Sequence, residues 1–291
     1  MTLFEQHHPS PSTAFHELVR RQVQAALAED VGSGDLTALL IPPLLKVGAT
    51  ILARETAIIC GLDWVNACFK LTDAKVDIDW QIAEGDRVEA NQVLCEIHGL
   101  ARALLTAERC ALNFLQTLSA TATETRKYVE AIAGTQSQIL DTRKTIPNLR
   151  LAQKYAVTVG GGHNQRLALY DGILIKENHI AAAGSITAVM AQVLSLNTHK
   201  SIQIEVESLI QLQEALNAGA HSILLDNFSL TQLSAAVSIN QKSGGHAILE
   251  ASGGISLENV RGIALTGVDR ISIGAITKHV KAIDLSMRVK A

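Results

Sequence analysis

Chemistry-bearing side chains are concentrated in one stretch of the sequence. Asp141-Thr142-Arg143-Lys144-Thr145, Gly160-Gly161-Gly162, Arg166 and Leu174-Ile175-Lys176-Glu177-Asn178-His179 set cations and a glycine turn among short apolar runs. Arginine presents a planar fork that matches a carboxylate or phosphate, and lysine a compact charge. One cation at the end of a buried strand is usually half of a salt bridge. Arg143, Lys144, Arg166 and Lys176 converging on one rim instead ask for a small, multiply charged anion: two carboxylates, or a carboxylate and a diphosphate. Glu205 and Asp226 stand one repeat apart, each directly after an apolar run. Two such carboxylates can hold Mg2+ beside a diphosphate, or stabilise a cationic sugar-like transition state. Ser252-Gly253-Gly254 and Ile273-Gly274-Ala275 follow the last two apolar runs. In barrels that is where backbone N–H groups and a helix start cradle a phosphate, and glycine permits the close approach.

The elements that must position these groups follow a repeat. Ile139-Leu140, Val157-Thr158-Val159, Ile173–Ile175, Ile202–Ile204, Ile223–Leu225, Ala247–Leu249 and Ile271–Ile273 each precede a polar or glycine residue and then a helical segment. Near-continuous apolar strands alternating with helices predict a parallel sheet covered on both faces. Start-to-start steps after Ile173 are 29, 21, 24 and 24 residues, which suits βα units. The repeats span about 140 residues, short of the roughly 250 of a complete eightfold barrel. The expectation is an α/β fold with an incomplete, open α/β barrel of six or seven strands; an open doubly wound sheet is the alternative.

The first half reads differently. Phe15, Leu18, Val19, Val23, Ala26 and Leu27 predict an amphipathic helix over about 14–30. Thr50–Ile59 reads as strand, and Glu84–Val88 and Gln92–Ile97 resemble strands of a biotinyl-type hammerhead without a Met-Lys-Met-like carrier site, hence structural. A long helix is expected over about 101–132, with Leu104, Ala107, Ala111, Phe114, Leu118 and Ala122 as its apolar stripe. Arg102, Arg109, Asn113 and Gln116 form a second, polar stripe; Arg102 fits a solvated face, whereas Asn113 and Gln116 fit simple solvation less well than Lys or Glu would. The expected division is an N-terminal α/β sandwich over residues 1–118 and a C-terminal barrel over 119–291, with the last fifteen or so residues packing back on the N-terminal domain.

Composition excludes several classes. Net charge is −3, with 47 % hydrophobic and 18 % charged residues, so no global basic field favours nucleic acid. Cys60, Cys68, Cys95 and Cys110 include no Cys-x-x-Cys pair, which argues against zinc and for reduced thiols in the cytoplasm. A secretory signal is not expected, and no apolar run reaches the roughly 20 residues of a membrane span.

Taken together, the motifs resemble the quinolinate phosphoribosyltransferase family. The matching stretches are Glu29–Thr37, Ala107–Gln116, Asp141–Thr145, Gly160–Gly162, Leu174–His179, Glu205-Val206-Glu207, Leu225-Asp226-Asn227 and Ser252–Gly254, in family order over nearly the whole chain. The resemblance implies an N-terminal α/β sandwich with a C-terminal open barrel. It implies transfer of phosphoribosyl from phosphoribosyl pyrophosphate to quinolinate, with Mg2+, giving nicotinate mononucleotide, pyrophosphate and CO2. It further implies that Arg109 reaches the neighbouring subunit's site in at least a homodimer. Arg109, Thr142, Arg143, Lys144, Gln165, Arg166 and Lys176 are then expected to bind the anions. Glu205 and Asp226 are expected near ribose and metal, and Ser252, Gly253, Gly254, Ile273 and Gly274 near the 5′-phosphate; Lys144, Lys176, Glu205 and Asp226 are expected to act in catalysis. Many family members carry His just before the arginine matching Arg166, where this chain has Gln165, with His163 two residues earlier. An amide can hydrogen-bond but cannot titrate near pH 7, so Gln165 is expected to orient a carboxylate, and His163 to be a surface residue. The competing readings are a Schiff-base barrel aldolase using Lys176 and a molybdenum-transport-linked paralogue. The latter lacks the lysine matching Lys176, which favours the quinolinate enzyme.

Overall fold

The computed structural model describes residues 12–290. Along the chain, α1 (Thr13–Val31) leads to β1 (Lys46–Ala53), β2 (Ala57–Ile58), α2 (Leu62–Thr72), β3 (Asp77–Trp80), β4 (Arg87–Val88), β5 (Val93–Leu100) and α3 (Ala101–Ala131). Then come β6 (Gln138–Leu140), α4 (Arg150–Val159), β7 (Gly172–Ile175), α5 (Glu177–Ala183), α6 (Ile186–Ser195), β8 (Ser201–Val206), α7 (Leu209–Asn217) and β9 (Ser222–Asp226). The chain ends with α8 (Leu230–Lys242), β10 (Ile248–Ser252), α9 (Val260–Ala264), β11 (Arg270–Ser272), α10 (Ala275–Lys278) and β12 (Leu285–Lys290).

Two compact units result. The first holds residues 12–124, 151–160 and 279–290 of the described chain; the second holds 125–150 and 161–278. In the first, an antiparallel sheet has the order β12-β1-β5-β3, with β2 and β4 as a separate pair. The apolar stripe of α3 is buried, Leu104, Ala107, Ala111 and Leu118 completely. Arg102 is not simply solvated: its Nε donates to the Ile41 carbonyl at 2.7 Å, tying the preceding loop to α3.

Val157-Thr158-Val159 is not a strand but the end of helix α4. Its β-branched residues imitate a strand, but burial decides the matter: Ala152, Gln153, Ala156 and Val157 fall on one helical face, and all are fully buried. Tyr155 joins Phe15 and Trp64 at ring-centroid distances of 4.9 and 5.7 Å, so tertiary packing overrides local propensity.

The second unit is built on six parallel strands in the order β6-β11-β10-β9-β8-β7. Register assigns the faces. Gln203 pairs with Leu174, Glu205 and Glu250 with Leu224, Ser252 with Asp226 and with Ser272, and Glu250 with Arg270. Paired residues share a face and side chains alternate along each strand, so Gln203, Glu205, Leu224, Asp226, Glu250, Ser252, Arg270 and Ser272 all point one way. Ile204, Ile223, Leu225, Leu249, Ala251 and Ile271 point the other way and are buried. The strands are therefore not apolar on both faces, as their composition suggested; one face is a polar interior. Beyond β6, His163 makes a parallel bridge to Leu140, with its N–H donating to Ile139 and its carbonyl accepting from Asp141. A segment outside the named strands thus covers the free edge of β6.

Candidate active site

The polar interior opens at the C-terminal strand ends. Lys176 follows β7, and its Nζ is held by both oxygens of Glu205 at 2.9 and 3.2 Å. Glu205 lies inside β8 rather than after it and is nearly buried, while Lys176 is half-exposed. Asp226 is the last residue of β9, on the same face as Glu205 one strand away; its Oδ2 accepts from the Asn227 amide at 2.7 Å. Ser252 closes β10.

Three devices shape the rest of the rim. Asp141 is fully buried and accepts from the Asn164 amide and the Gln165 N–H, each at 2.8 Å, so this acid anchors the segment 163–166 rather than meeting a ligand. Arg166 Nη1 donates to the Gly172 carbonyl at 2.9 Å, at the start of β7. Burial, and then the nearby Arg143 charge, push the Arg166 pKa down. Neither arginine has an acidic partner among the described residues, and Arg143 Nε is buried without a hydrogen bond. Two guanidinium groups near one another thus carry positive charge that no described acid offsets.

Glycines permit close approaches at two of these turns. A Cβ at Gly274 would lie 2.9 Å from Lys144 Cδ and 3.4 Å from Thr142 Oγ1, and one at Gly253 would lie 2.1 Å from Asn227 Oδ1. Gly253 and Gly254 both have positive φ, and Asn227 adopts φ 57°, a left-handed conformation that Asn tolerates. Nothing in the sequence gives Asn227 a role; in the structure it packs against Gly253, and its N–H donates to the Ser252 carbonyl at 2.9 Å. Thr277 anchors the Lys144 carbonyl through its hydroxyl at 2.8 Å. Ile273, fully buried, is a core residue here, its N–H donating to the Leu140 carbonyl.

The second unit thus gathers Thr142, Arg143, Lys144, Gln165, Arg166, Lys176, Glu205, Asp226, Ser252, Gly253, Gly254 and Gly274 at the strand ends and connecting loops of one sheet. Arg109 lies in the first unit, exposed on α3 in a row with Leu105 and Asn113. His163 is not a surface residue: it is partly buried, and burial followed by the Arg270 charge holds its imidazole pKa below the usual value. Among the described residues no three His, Cys, Asp or Glu side chains cluster as a metal site, and no helix is long and apolar enough to cross a membrane.

The chain is similar to known proteins over nearly its whole length. A family model described as quinolinate phosphoribosyl transferase, C-terminal domain, matches residues 121–288, and its N-terminal counterpart matches residues 35–119. The chain is 40 % identical over 278 residues to a probable nicotinate-nucleotide pyrophosphorylase [carboxylating] of Bacillus subtilis, covering 94 % of each chain. It is 38 % identical over 278 residues to the Mycobacterium leprae nicotinate-nucleotide pyrophosphorylase [carboxylating], covering 93 % of this chain and 97 % of that one. A solved nicotinate-nucleotide pyrophosphorylase from Francisella tularensis superposes with a TM-score of 0.92 at 44 % identity, covering 99 % of this chain and all of that one.

Proposed function

The chain belongs to the quinolinate phosphoribosyltransferase family, and from that premise we propose how its own residues perform the carboxylating nicotinate-nucleotide pyrophosphorylase reaction of NAD biosynthesis. The observation that carries the reading is the Arg143–Arg166 pair, two guanidinium groups without acidic partners among the described residues. It supports capture of the two quinolinate carboxylates. Lys176, held by Glu205, adds a further cation at the C-terminal end of β7, and Lys144 with the Ser252–Gly254 and Gly274 turns meets the phosphates of phosphoribosyl pyrophosphate.

The bond between the ribose anomeric carbon and pyrophosphate breaks as the quinolinate nitrogen forms its bond to that carbon. Positive charge grows on the ribose, and Glu205 and Asp226 stabilise it from the adjacent strands. Fixing the two substrates in line supplies several kcal/mol of this kind of acceleration. The resulting pyridinium draws electrons toward nitrogen, so the 2-carboxylate leaves as CO2; its bonding pair stays on the ring carbon, which takes up a proton. The Gln165 amide cannot supply that proton, because it does not titrate.

Mg2+ fits the acids present: Glu205 and Asp226 offer oxygen ligands from one face, and the ion characteristically takes one or two carboxylates with substrate phosphates and water. When bound it would neutralise diphosphate charge. We also propose a homodimer in which Arg109 completes the partner's site. Support comes from the exposed row Leu105, Arg109 and Asn113, and from Leu36, Leu39, Leu40 and Leu44, all more than 60 % exposed. Arg102 and Asp35 tie that leucine segment to α3 through Ile41 and Thr106. Cytoplasmic residence belongs to the same proposal, supported by four buried free cysteines whose thiol pKa values are raised by burial.

The deciding test is incubation with phosphoribosyl pyrophosphate, Mg2+ and either quinolinate or nicotinate. Nicotinate mononucleotide and CO2 are expected from quinolinate alone; product from nicotinate alone would overturn the substrate assignment. For the dimer, mixing inactive Arg109→Ala and Arg143→Ala subunits should restore activity, because each hybrid holds one complete site. No recovery on subunit exchange would refute the sharing.

A further inference from the structure

Beneath the rim lies a layer of buried polar side chains that the reaction above does not use. Gln203 stands two residues below Glu205 on β8, and Glu250 two residues below Ser252 on β10; they are 7 % and 1 % exposed. At about 3.3 Å per strand residue, both lie one layer below the strand-end residues Glu205 and Ser252. They are nevertheless wired to the anion site. Gln165 Oε1 accepts from the Arg166 N–H at 2.6 Å, Gln165 Nε2 donates to Gln203 Oε1 at 2.6 Å, and Gln203 Nε2 donates to Glu250 Oε2 at 2.9 Å. The direction of this chain is fixed at both ends. The Arg166 N–H can only donate, so the Gln165 carbonyl must face it and its NH2 must face Gln203. Gln203 must then accept with its carbonyl and give its own NH2 to the carboxylate oxygen of Glu250.

We propose that Gln203 and Glu250 are positioning residues for quinolinate, acting through Gln165 to set the backbone, and so the guanidinium, of Arg166. Barrel interiors are ordinarily filled by branched apolar residues. A buried polar chain is costly unless every member is satisfied, and here Glu250 Oε1 has no hydrogen-bond partner. A Leu–Leu pair would fill the same layer without that cost, so the chain is best explained by what it holds in place. It places an amide, which does not titrate near pH 7, at the residue preceding Arg166, and so fixes the arginine without adding a proton equilibrium beside it.

The inference rests on the assignment of Arg166 to quinolinate, and the experiment separates the two. Steady-state kinetics would be measured for Gln203→Leu, Glu250→Leu, Glu250→Gln and Arg166→Ala in the full chain, with circular dichroism and thermal unfolding of each. Gln203→Leu and Glu250→Leu are expected to raise KM for quinolinate about tenfold, the effect of one hydrogen bond lost, with kcat and KM for phosphoribosyl pyrophosphate within about threefold. Glu250→Gln, which keeps an acceptor oxygen for Gln203, is expected to restore a near-normal KM. Folded Leu variants with unchanged KM for quinolinate, or with both KM values and kcat altered alike, overturn the proposal, as does a Glu250→Gln as impaired as Glu250→Leu. Should Gln203→Leu not fold, the two Glu250 variants decide the question. If Arg166→Ala itself leaves KM for quinolinate unchanged, the substrate assignment fails instead.

Discussion

Replacing Arg143 by methionine should separate binding from stability with opposite signs. The substitution keeps most of the side-chain volume and removes the charge. In the ligand-free protein Arg143 Nε is buried without a partner, and the guanidinium adds to the pressure that lowers the pKa of Arg166. An unmade buried hydrogen bond costs about 1–3 kcal/mol, so its removal offsets lost packing. Ligand-free stability is expected to stay within about 1 kcal/mol of the parent protein, or to rise. Binding moves the other way: a hydrogen bond to a charged group contributes about 1.5–3 kcal/mol, and losing about 2.8 kcal/mol weakens quinolinate about 10²-fold. Urea unfolding with and without quinolinate reads both effects. At a ligand concentration 100 times the parent Kd, the parent gains about 2.7 kcal/mol, whereas a variant with Kd raised 100-fold gains only about 0.4 kcal/mol. The hydrogen bond that Arg150 Nη2 donates to the Arg143 carbonyl is untouched, so it gives no reason for unfolding. A ligand-free loss above about 2 kcal/mol, or full retention of the quinolinate-induced gain, would refute the reasoning.

Other perturbations probe the rest of the rim. Gly274→Ala puts a methyl 2.9 Å from Lys144 Cδ; the exposed lysine must swing aside, and kcat/KM should fall about 10- to 100-fold, the effect of a displacement near 1 Å, with little change in melting temperature. Gly253→Ala adds left-handed backbone strain of about 1–2 kcal/mol to a 2.1 Å clash with Asn227 Oδ1, so it should lower stability and raise KM for phosphoribosyl pyrophosphate together. His163 has its folded-state pKa held down by burial and then by Arg270. Below its unfolded pKa of about 6.5, the unfolded chain binds the extra proton and stability falls as pH falls. His163→Gln should flatten that acid limb in urea titrations; an unchanged slope would show that another group controls it. Chelation of divalent cations should abolish turnover, with recovery on adding Mg2+.

Much of the site was legible because strand-end chemistry leaves a local imprint. An apolar run followed at once by Lys176, or ending in Asp226 or Ser252-Gly253, reveals both the strand and its exposed end. The motif Asp141–Thr145 pointed to an anion site but not to a division of labour within it. Asp141 turned out to be a buried anchor for Gln165 and Asn164, a role that depends on residues more than twenty positions away. Val157-Thr158-Val159 misled because three residues cannot distinguish a strand from the buried face of a helix; the aromatic packing of Tyr155 decides it. Strand alternation is harder to read for the same reason of length: Gln203 and Ser272 stand in the middle of runs of three, too short to fix a period, and Glu205, Asp226 and Glu250 stand at the ends of theirs.

The sequence by itself determined the two-part organisation, the parallel α/β class and which polar side chains stand at the strand ends, because helix and strand periodicity and short motifs are local properties. Tertiary structure alone decided that one face of the sheet is polar, that His163 covers the β6 edge, that Arg143 and Arg166 lie near one another without acidic partners among the described residues, and that Gln203 and Glu250 connect through Gln165 to the Arg166 backbone. Those features arise from register between strands and from hydrogen bonds across long sequence separations, for which a linear pattern carries no signal.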